Sequence, residues 1–272
     1  MLSRFADRCI FCPTTDKLPT EGKTRRAIPF RGGELEVWTQ RTDSLAADGN
    51  RAAQGAEPQL FVLKLSGTAG RAERATLHPF EVWSDIAGEV WAANPPGYGG
   101  STGPATLTTF AAAAGAVFDE LQRVAAGRPI VVTGNSLGTA TALHLAANHQ
   151  DIAAVILRNP PPLRELIRGK FGWRTLGLGP LLVGSRIPPE LDSIANARRA
   201  IAPAVILTSL KDRMVPPAIQ RHVIDAYAGP KRLVELADAD HAFELTEEQQ
   251  YEYADALRWL QRQLPVTGSK PG

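Results

Sequence analysis

The sequence predicts an α/β protein with a mostly parallel central sheet and helices on both faces. Apolar runs of strand length alternate with helical patterns from about residue 60 to the end of the chain, which is typical of consecutive βαβ units. The chain has 272 residues, 44% of them hydrophobic, enough to build one large core. We therefore expect a single domain over residues 1–272.

Before residue 60 the pattern is different. Residues 26–30 and 35–39 flank Gly32 and Gly33, which predicts an antiparallel hairpin. Such a hairpin fits at one edge of a parallel sheet. Residues 43–58 are rich in Asp, Ala, Gly and Asn, so we expect a solvated loop there.

From residue 60 onward the strands and helices can be assigned in order. Strands are expected at 60–65, 90–93, 129–133, 152–157, 204–208 and 232–236. Helices are expected at about 71–87, 106–126, 137–149, 216–227 and 246–263. Most of the strands are nearly continuous apolar runs, as expected where helices cover both faces of a sheet.

Residues 160–202 interrupt the alternation. This segment begins with three consecutive prolines and carries several glycines among Phe171, Trp173 and leucines. A structureless connection of this length is uncommon unless it is a lid or a binding loop. We expect an irregular or short-helical cap inserted between two strands, with a plain linker as the alternative.

Composition and charge argue against several classes of partner. The 30 basic and 28 acidic residues give a formal net charge of +2, so no global field favours nucleic acid or an anionic membrane surface. The first residues carry charges where a signal peptide is apolar, and no run of about 18 apolar residues follows. We expect a cytoplasmic protein without a transmembrane segment, and the sequence leaves the oligomeric state open.

The sequence predicts neither a metal nor an organic cofactor. Cys9 and Cys12 form a single C-x-x-C pair without the second pair of ligands that structural zinc needs. Gly67 and Gly70 are too closely spaced for a dinucleotide fingerprint, and the run at Gly22 lacks the earlier glycine of a phosphate-binding loop. Ordinary thiols, partly buried, are the expected state of the two cysteines.

A Gly-x-Ser-x-Gly motif occupies residues 134–138, directly after one predicted strand and before a predicted helix. A turn this tight needs glycine at both ends and holds Ser136 in strained backbone geometry with its hydroxyl exposed. At the start of the helix, the N–H of Leu137 would face a substrate carbonyl. We predict Ser136 as a nucleophile and Leu137 as an oxyanion donor, with an ordinary N-cap serine as the alternative.

A serine hydroxyl is a weak nucleophile unless a base removes its proton. His241 follows the last predicted strand, in a loop before the closing helix, and is the predicted base. Asp212 lies just beyond the strand at 204–208, at the end of the sheet where such folds gather ligands. Asp212 is the predicted acid. Asp238 is the next choice, although a carboxylate as close in sequence as Asp238 or Asp240 cannot easily reach the far nitrogen of the imidazole.

Two further segments resemble those of a known family. Residues 94–101 read Asn-Pro-Pro-Gly-Tyr-Gly-Gly-Ser, and residues 11–16 read Phe-Cys-Pro-Thr-Thr-Asp. Together with the order Ser136, Asp212, His241, they resemble the α/β-hydrolase superfamily, in particular its BEM46-like members. The resemblance covers nearly the whole chain.

The resemblance also implies a second oxyanion donor in the turn after the strand at 60–65. Family members carry a His-Gly turn there, whereas this chain reads Ser66-Gly67-Thr68-Ala69. A backbone donor tolerates that change. We expect the N–H of Thr68 to be the donor, with Gly67 and Ala69 as alternatives.

The function implied is acyl transfer to water by a serine hydrolase. We favour a carboxylesterase that acts on a small-molecule ester with a short to medium acyl chain. Thioester or amide hydrolysis is an alternative on the same fold, and a non-catalytic ligand-binding protein is an alternative of another class. Phe171 and Trp173 of the cap, together with Tyr98, are expected to contact the substrate.

Overall fold

The computed structural model describes residues 7, 10–42, 57–166, 187–242 and 244–265. The strands are β1 (Thr24–Phe30), β2 (Gly33–Arg41), β3 (Leu60–Leu65), β4 (Gly88–Ala93), β5 (Ile130–Asn135), β6 (Ile152–Arg158), β7 (Ala204–Ser209) and β8 (Lys231–Leu236). The helices are α1 (Leu107–Ala125), α2 (Leu137–Asn148), α3 (Ser193–Ala197), α4 (Pro217–Ala226) and α5 (Glu247–Gln261).

The strands form one sheet in the order β1-β2-β4-β3-β5-β6-β7-β8. β2 pairs antiparallel with both β1 and β4, and the strands from β4 to β8 in this order run parallel. The predicted fold class is therefore confirmed, with the antiparallel hairpin at one edge. Since the parallel strands end at the same edge, the loops after β3, β5, β7 and β8 meet there.

Apolar side chains cover both faces of the sheet. On one face, Phe118 of α1 and Leu143 of α2 belong to the cluster that contains Leu63. On the other face, Leu257 of α5 packs in the cluster of Val62. Neighbouring strand residues enter different clusters because successive side chains point to opposite faces of a sheet.

The prediction of a helix at residues 71–87 is wrong. The segment contains a three-residue 3-10 helix, Ala72–Arg74, followed by turns. Pro79 has no N–H to donate and disfavours helical backbone at the residue before it. Phe80 and Trp83 are nevertheless buried against the sheet. The apolar spacing therefore arose from core positions in a segment that is not helical. The other expected strands and helices are present, with ends shifted by at most a few residues.

Two expected features fall largely outside the described residues. In the predicted cap, residues 167–186 lie outside them, including Phe171 and Trp173. The parts that are described form a helical turn at 163–166, a 3-10 helix at Pro189–Leu191, and α3. Of the expected loop at 43–58, residues 57–58 alone are described.

Candidate active site

Ser136 lies in the sharp turn between β5 and α2. Its φ of 50° and ψ of −121° are rare for a residue with a side chain. The turn is held by a hydrogen bond of 2.8 Å from the Ser136 N–H to the carbonyl of Arg158 on β6. The Ser136 side chain makes no capping bond to its own helix, so its hydroxyl is available to a neighbouring group.

The two glycines of the motif are required by close backbone contacts. A Cβ at Gly134 would lie 2.6 Å from Cα of Thr139, and a Cβ at Gly138 would lie 2.0 Å from the carbonyl oxygen of Leu65. Real Cβ atoms do not approach backbone so closely. The motif therefore has a steric cause, since the turn packs directly against the end of β3.

The structure brings His241 and Asp212 to Ser136. Nε2 of His241 lies 3.1 Å from Oγ of Ser136, and Nδ1 lies 2.7 Å from Oδ2 of Asp212. The Asp212 side chain is fully buried and that of His241 is largely buried. A carboxylate at Nδ1 favours the tautomer that carries its proton there, which leaves Nε2 free to accept the serine proton.

The alternative carboxylates point elsewhere. Asp238 is on the surface and pairs with Lys211 at 2.6 Å, and this hydrogen bond lowers the pKa of the Asp238 carboxyl. Asp240 accepts the backbone N–H of His241 at 2.7 Å, which orders the loop and does not involve the ring. Asp212 is thus the carboxylate within hydrogen-bond distance of the imidazole.

Sequence reasoning missed a residue that helps to fix the Asp212 carboxylate. Gln220 of α4 is completely buried. Its side-chain amide donates to Oδ2 of Asp212 at 3.3 Å and to the carbonyl of Val215 at 2.7 Å, and its oxygen accepts from Thr208 at 2.8 Å. A glutamine on an amphipathic helix carries no sequence signal for this role, because exposed glutamines are common there.

The turn after β3 lies against Ser136. A Cβ at Gly67 would be 3.1 Å from Cβ of Ser136, and Gly67 and Thr68 both line the cavity that contains the serine. The Gly70 N–H closes the turn on the carbonyl of Gly67 at 3.0 Å. Leu137 begins α2, where the first backbone N–H groups of a helix have no intrahelical partner. Leu137 and the turn that carries Thr68 are therefore both adjacent to the serine.

The expectation that Tyr98 contacts substrate is not met. Its side chain is fully buried beneath the turn after β3. The hydroxyl donates to the carbonyl of Thr68 at 2.6 Å and accepts the N–H of Cys12 at 3.0 Å. Burial raises the pKa of Tyr98 to about 12, so the hydroxyl keeps its proton for this bond. Tyr98 supports the turn from below.

A buried polar network supports the other end of the same turn. The Asn94 amide donates to Glu36 and to Glu73 and accepts the N–H of Ala72 at 2.9 Å. Arg71 pairs with Glu73 and donates to backbone carbonyls of the N-terminal segment at residues 14 and 16. The two segments that resemble the known family, residues 11–16 and 94–101, are thus joined through residues 71–73.

A cavity of about 1780 Å³ opens at Ser136 and His241. Its described walls include the turn after β3, Leu163 and Leu166 at the start of the expected cap, and part of α5. Cys12 also lies on the wall, whereas Cys9 lies outside the described residues. Within the described ranges, no group of three or more His, Cys, Asp or Glu could hold a metal ion.

Comparison with known proteins agrees with this architecture. A family model described as alpha/beta hydrolase fold matches residues 88–176, a range that contains Ser136. Among solved structures, Est1E from Butyrivibrio proteoclasticus superposes with a TM-score of 0.66 at 16% identity, covering 88% of this chain and 98% of that one. The Pyrococcus furiosus esterase Pf2001 gives 0.65 at 15% identity, covering 94% and 97%.

A Pyrococcus horikoshii acylaminoacyl peptidase also superposes, with a TM-score of 0.67 at 15% identity, over 94% of this chain and 44% of the peptidase. The chain has the α/β-hydrolase fold. Two curated relatives are the uncharacterized proteins MT2364 and Rv2307c of Mycobacterium tuberculosis, each 32% identical over 148 residues, or 53% of this chain. The chain spans about half the length of these relatives, 50% in each case. The closer resemblance to BEM46-like members stays a prediction.

No helix in the described part of the chain is both long and apolar enough to cross a membrane.

Proposed function

We propose that this protein is a serine hydrolase that transfers the acyl group of a carboxylester to water. One observation carries the proposal: a continuous hydrogen-bonded series from Asp212 through His241 to Ser136 opens into a large cavity. Such a series activates a serine hydroxyl, because the imidazole can accept its proton while the buried carboxylate stabilises the imidazolium.

In the proposed reaction, Nε2 of His241 removes the proton from Ser136 as Oγ attacks the ester carbonyl. The protonated imidazole then returns this proton to the leaving alcohol, and an acyl-serine remains. Water, deprotonated by the same nitrogen, attacks the acyl-serine, and the imidazole passes this proton to Oγ of Ser136 as the acid leaves. Asp212 holds the ring in orientation and stabilises the imidazolium.

The negative charge of each tetrahedral intermediate needs donors that are already in place. Leu137 N–H at the start of α2 is the first proposed donor, and Thr68 N–H is the second. The contact between Gly67 and Ser136 supports the second assignment, because it sets the turn beside the attacked carbonyl. Tyr98 and the network around Asn94 would keep the turn in position.

Acyl-peptide hydrolysis is a second candidate because an acylaminoacyl peptidase is among the structural neighbours. Amide and ester hydrolysis share the acyl-serine intermediate, so the same residues serve both reactions. We favour esters of short to medium acyl groups, with the cap at 160–202 as part of the acyl site. A non-catalytic ligand-binding protein is the alternative of another class.

Covalent labelling by a fluorophosphonate tests the proposal without the natural substrate. The wild-type protein should be labelled at Ser136 and should hydrolyse 4-nitrophenyl butyrate. Ser136→Ala should abolish labelling and reduce turnover on the order of 10⁴-fold or more, as expected for the loss of a nucleophile.

Ser101 provides a matched control, since it is a buried serine outside the cavity wall whose hydroxyl bonds to the carbonyl of Asn94. Ser101→Ala should keep the labelled site. Absence of labelling in a folded wild-type protein would favour the ligand-binding alternative, and activity of Ser136→Ala within about tenfold of wild type would refute the assignment.

A further inference from the structure

We propose that the cavity contains a second binding site, centred on Lys64, for an anionic group of the substrate, a carboxylate at a distance from the bond that is cleaved. This inference rests on the proposed function, because it names the substrate class for the same cavity. It follows from the position of Lys64, from its neutral partners and from the charge of the cavity wall.

Lys64 lies on the face of the sheet that forms the floor of the cavity. Its register partner on β5 is Thr133, and both residues line the cavity together with Ser136. Ser136 lies three positions after Thr133, which corresponds to about 10 Å along a strand at about 3.3 Å per residue. Lys64 is thus within reach of a substrate whose ester carbonyl is at Ser136.

The ammonium group of Lys64 has neutral hydrogen-bond partners. It donates to the carbonyl of Thr76 at 2.8 Å and to the Thr76 hydroxyl at 3.4 Å. Across the described ranges, no carboxylate forms an ion pair with it. Burial lowers the pKa of Lys64 to about 8, so at neutral pH the group remains mostly charged although its surroundings disfavour the charge. A partly buried cation with neutral partners is a favourable place for an anion.

The neighbouring groups add positive charge or neutral hydrogen-bonding capacity. Arg158 of β6 lies beside the β5 strand, opposite Asn135, and also lines the cavity. Burial lowers the pKa of His78 to about 3, so this ring is neutral, and its Nε2 bonds to the hydroxyl of Tyr253 at 2.7 Å. Glu81 is the acid on this side, and its side chain is half exposed, 3.7 Å from Nδ1 of His78.

The described wall as a whole has more basic than acidic side chains. The basic ones are Lys64, Arg71, Arg74, Arg158 and Arg258, against Glu81 and Glu247. Arg71 is paired with Glu73, which removes one charge from the balance and leaves the excess positive. In a cavity with low-dielectric walls this excess attracts anions and repels cations.

The test compares esters that differ in one carboxylate. One pair places the carboxylate in the acyl part, 4-nitrophenyl hydrogen adipate against 4-nitrophenyl hexanoate. The other pair places it in the alcohol part, 6-(butyryloxy)hexanoate against hexyl butyrate. In the wild-type protein at low salt, kcat/KM for the acidic ester of at least one pair should exceed that of its neutral counterpart by roughly ten- to a hundredfold, as for one buried charged contact.

Lys64→Met should abolish this preference while turnover of the neutral ester is kept, and Lys64→Arg should retain most of it. Lys231→Met is the matched control, since Lys231 is also a strand lysine bonded to a backbone carbonyl, that of Tyr227 at 2.8 Å, but lies outside the cavity wall. Lys231→Met should keep the wild-type preference.

Binding of free adipate, measured by calorimetry on the same variants, separates this inference from the proposed function. Adipate binding that is lost in Lys64→Met supports the site even in a protein that hydrolyses no ester. Turnover of neutral esters without any preference for acidic ones, together with adipate binding unchanged in Lys64→Met, overturns the site and leaves the hydrolase proposal standing. The wild-type comparison decides alone if Lys64→Met does not fold.

Discussion

The carboxylate of Asp212 accepts hydrogen bonds from the N–H groups of Met214 and Val215 at 2.8 Å, from Gln220 at 3.3 Å and from His241 at 2.7 Å. These donors fix both oxygens, so the orientation of the imidazole is set by α4 and the loop before it. Asp238 has one ionic partner, Lys211, on the surface, where solvent screens the pair and leaves it little effect on stability.

We therefore predict that Asp212→Asn lowers kcat on the order of 10³- to 10⁴-fold, because the amide presents a donor where the imidazole needs an acceptor. Asp238→Asn is the matched control and should be close to wild type. Turnover of 4-nitrophenyl butyrate by both variants provides the measurement. If Asp238→Asn were inactive and Asp212→Asn had normal activity, the role of the acid would belong to Asp238.

A second prediction concerns the hydroxyl group of Tyr98. Tyr98→Phe removes the hydroxyl that holds the carbonyl of Thr68, so the proposed oxyanion donor loses its support. We expect kcat to fall severalfold with little change in KM, and the free energy of unfolding to fall by about 1–2 kcal/mol.

Tyr227→Phe controls for stability, since the Tyr227 hydroxyl is also buried and donates to a backbone carbonyl, that of Ala202 at 2.7 Å. It should cost similar stability and leave kcat unchanged. Equal kcat in the two variants would show that Tyr98 has a structural role alone.

The charge of Lys64 predicts how the preference for the acidic ester depends on pH. The group loses its proton as the pH rises through about 8, so kcat/KM for the acidic ester relative to the neutral one should fall above that pH. The other charged or titratable groups near Lys64 do not reverse the sign. Glu81 favours the charged form of Lys64 and Lys23 opposes it. Arg158 is cationic, burial lowers the pKa of His78 to about 3 so that its ring is neutral, and burial raises the pKa of Tyr253.

Lys64→Arg keeps its charge at these pH values, and its preference for the acidic ester should persist above pH 8. A wild-type preference that is flat from pH 7 to pH 9.5 would show that Lys64 does not bind the anion. The quantity to measure is kcat/KM, because it reports ionisations of the free enzyme.

At the scale of secondary-structure elements, the turn between β5 and α2 is fixed by its contact with the end of β3. Gly138 touches the Leu65 carbonyl, and Gly67 touches Ser136. These contacts couple the position of the nucleophile to that of the turn after β3. The segment at 71–87 also shapes the site. It consists mostly of turns where a regular helix was expected, and these turns place Thr76 and His78 on the cavity wall.

Gly138→Ala tests this contact. The added methyl group would meet the Leu65 carbonyl at 2.0 Å, so we expect loss of turnover and a destabilisation of about 1–3 kcal/mol, as for overpacking of a core. Gly115→Ala in α1 is the control, because nothing lies within 4 Å of its added Cβ, and it should stabilise the helix by up to about 1 kcal/mol. Thermal unfolding and ester turnover measure both effects.

At the scale of the whole molecule, the sheet gathers at one edge what the chain keeps far apart. Ser136 follows β5, Asp212 follows β7 and His241 follows β8, because parallel strands end together. The described part of the cap begins at this edge, with Leu163 and Leu166 on the cavity wall. The three side chains therefore come together only when these strands are assembled in one sheet.

The cap gives the prediction at this scale. If residues 160–202 form part of the acyl site, Trp173→Ala should change the dependence of kcat/KM on chain length in a series of 4-nitrophenyl esters from acetate to palmitate. Each buried methylene contributes up to about 0.8 kcal/mol, so wild type should gain severalfold per carbon until the pocket is full. The labelling rate with a small fluorophosphonate serves as the control for an intact Ser136. A flat profile that the substitution leaves unchanged would remove the cap from the acyl site.

The sequence alone determined the features that depend on local physics. Strand-length apolar runs separated by helical patterns predicted the order of elements, and two glycines flanking a serine between a strand and a helix predicted the sharp turn at Ser136. The hairpin at β1 and β2 followed from Gly32 and Gly33. Each of these signals arises within a few residues, so no distant contact is needed to interpret it.

The folded chain was required to choose between groups that look alike in the sequence. It separated Asp212 from Asp238, placed Tyr98 beneath the turn after β3 instead of in the cavity, and replaced the expected helix at 71–87 with turns. It also brought Lys64, unremarkable as a strand lysine, to the cavity floor. These outcomes depend on which side chains the sheet places together across long stretches of chain, and the period of a strand or helix carries no information about a partner that lies beyond it.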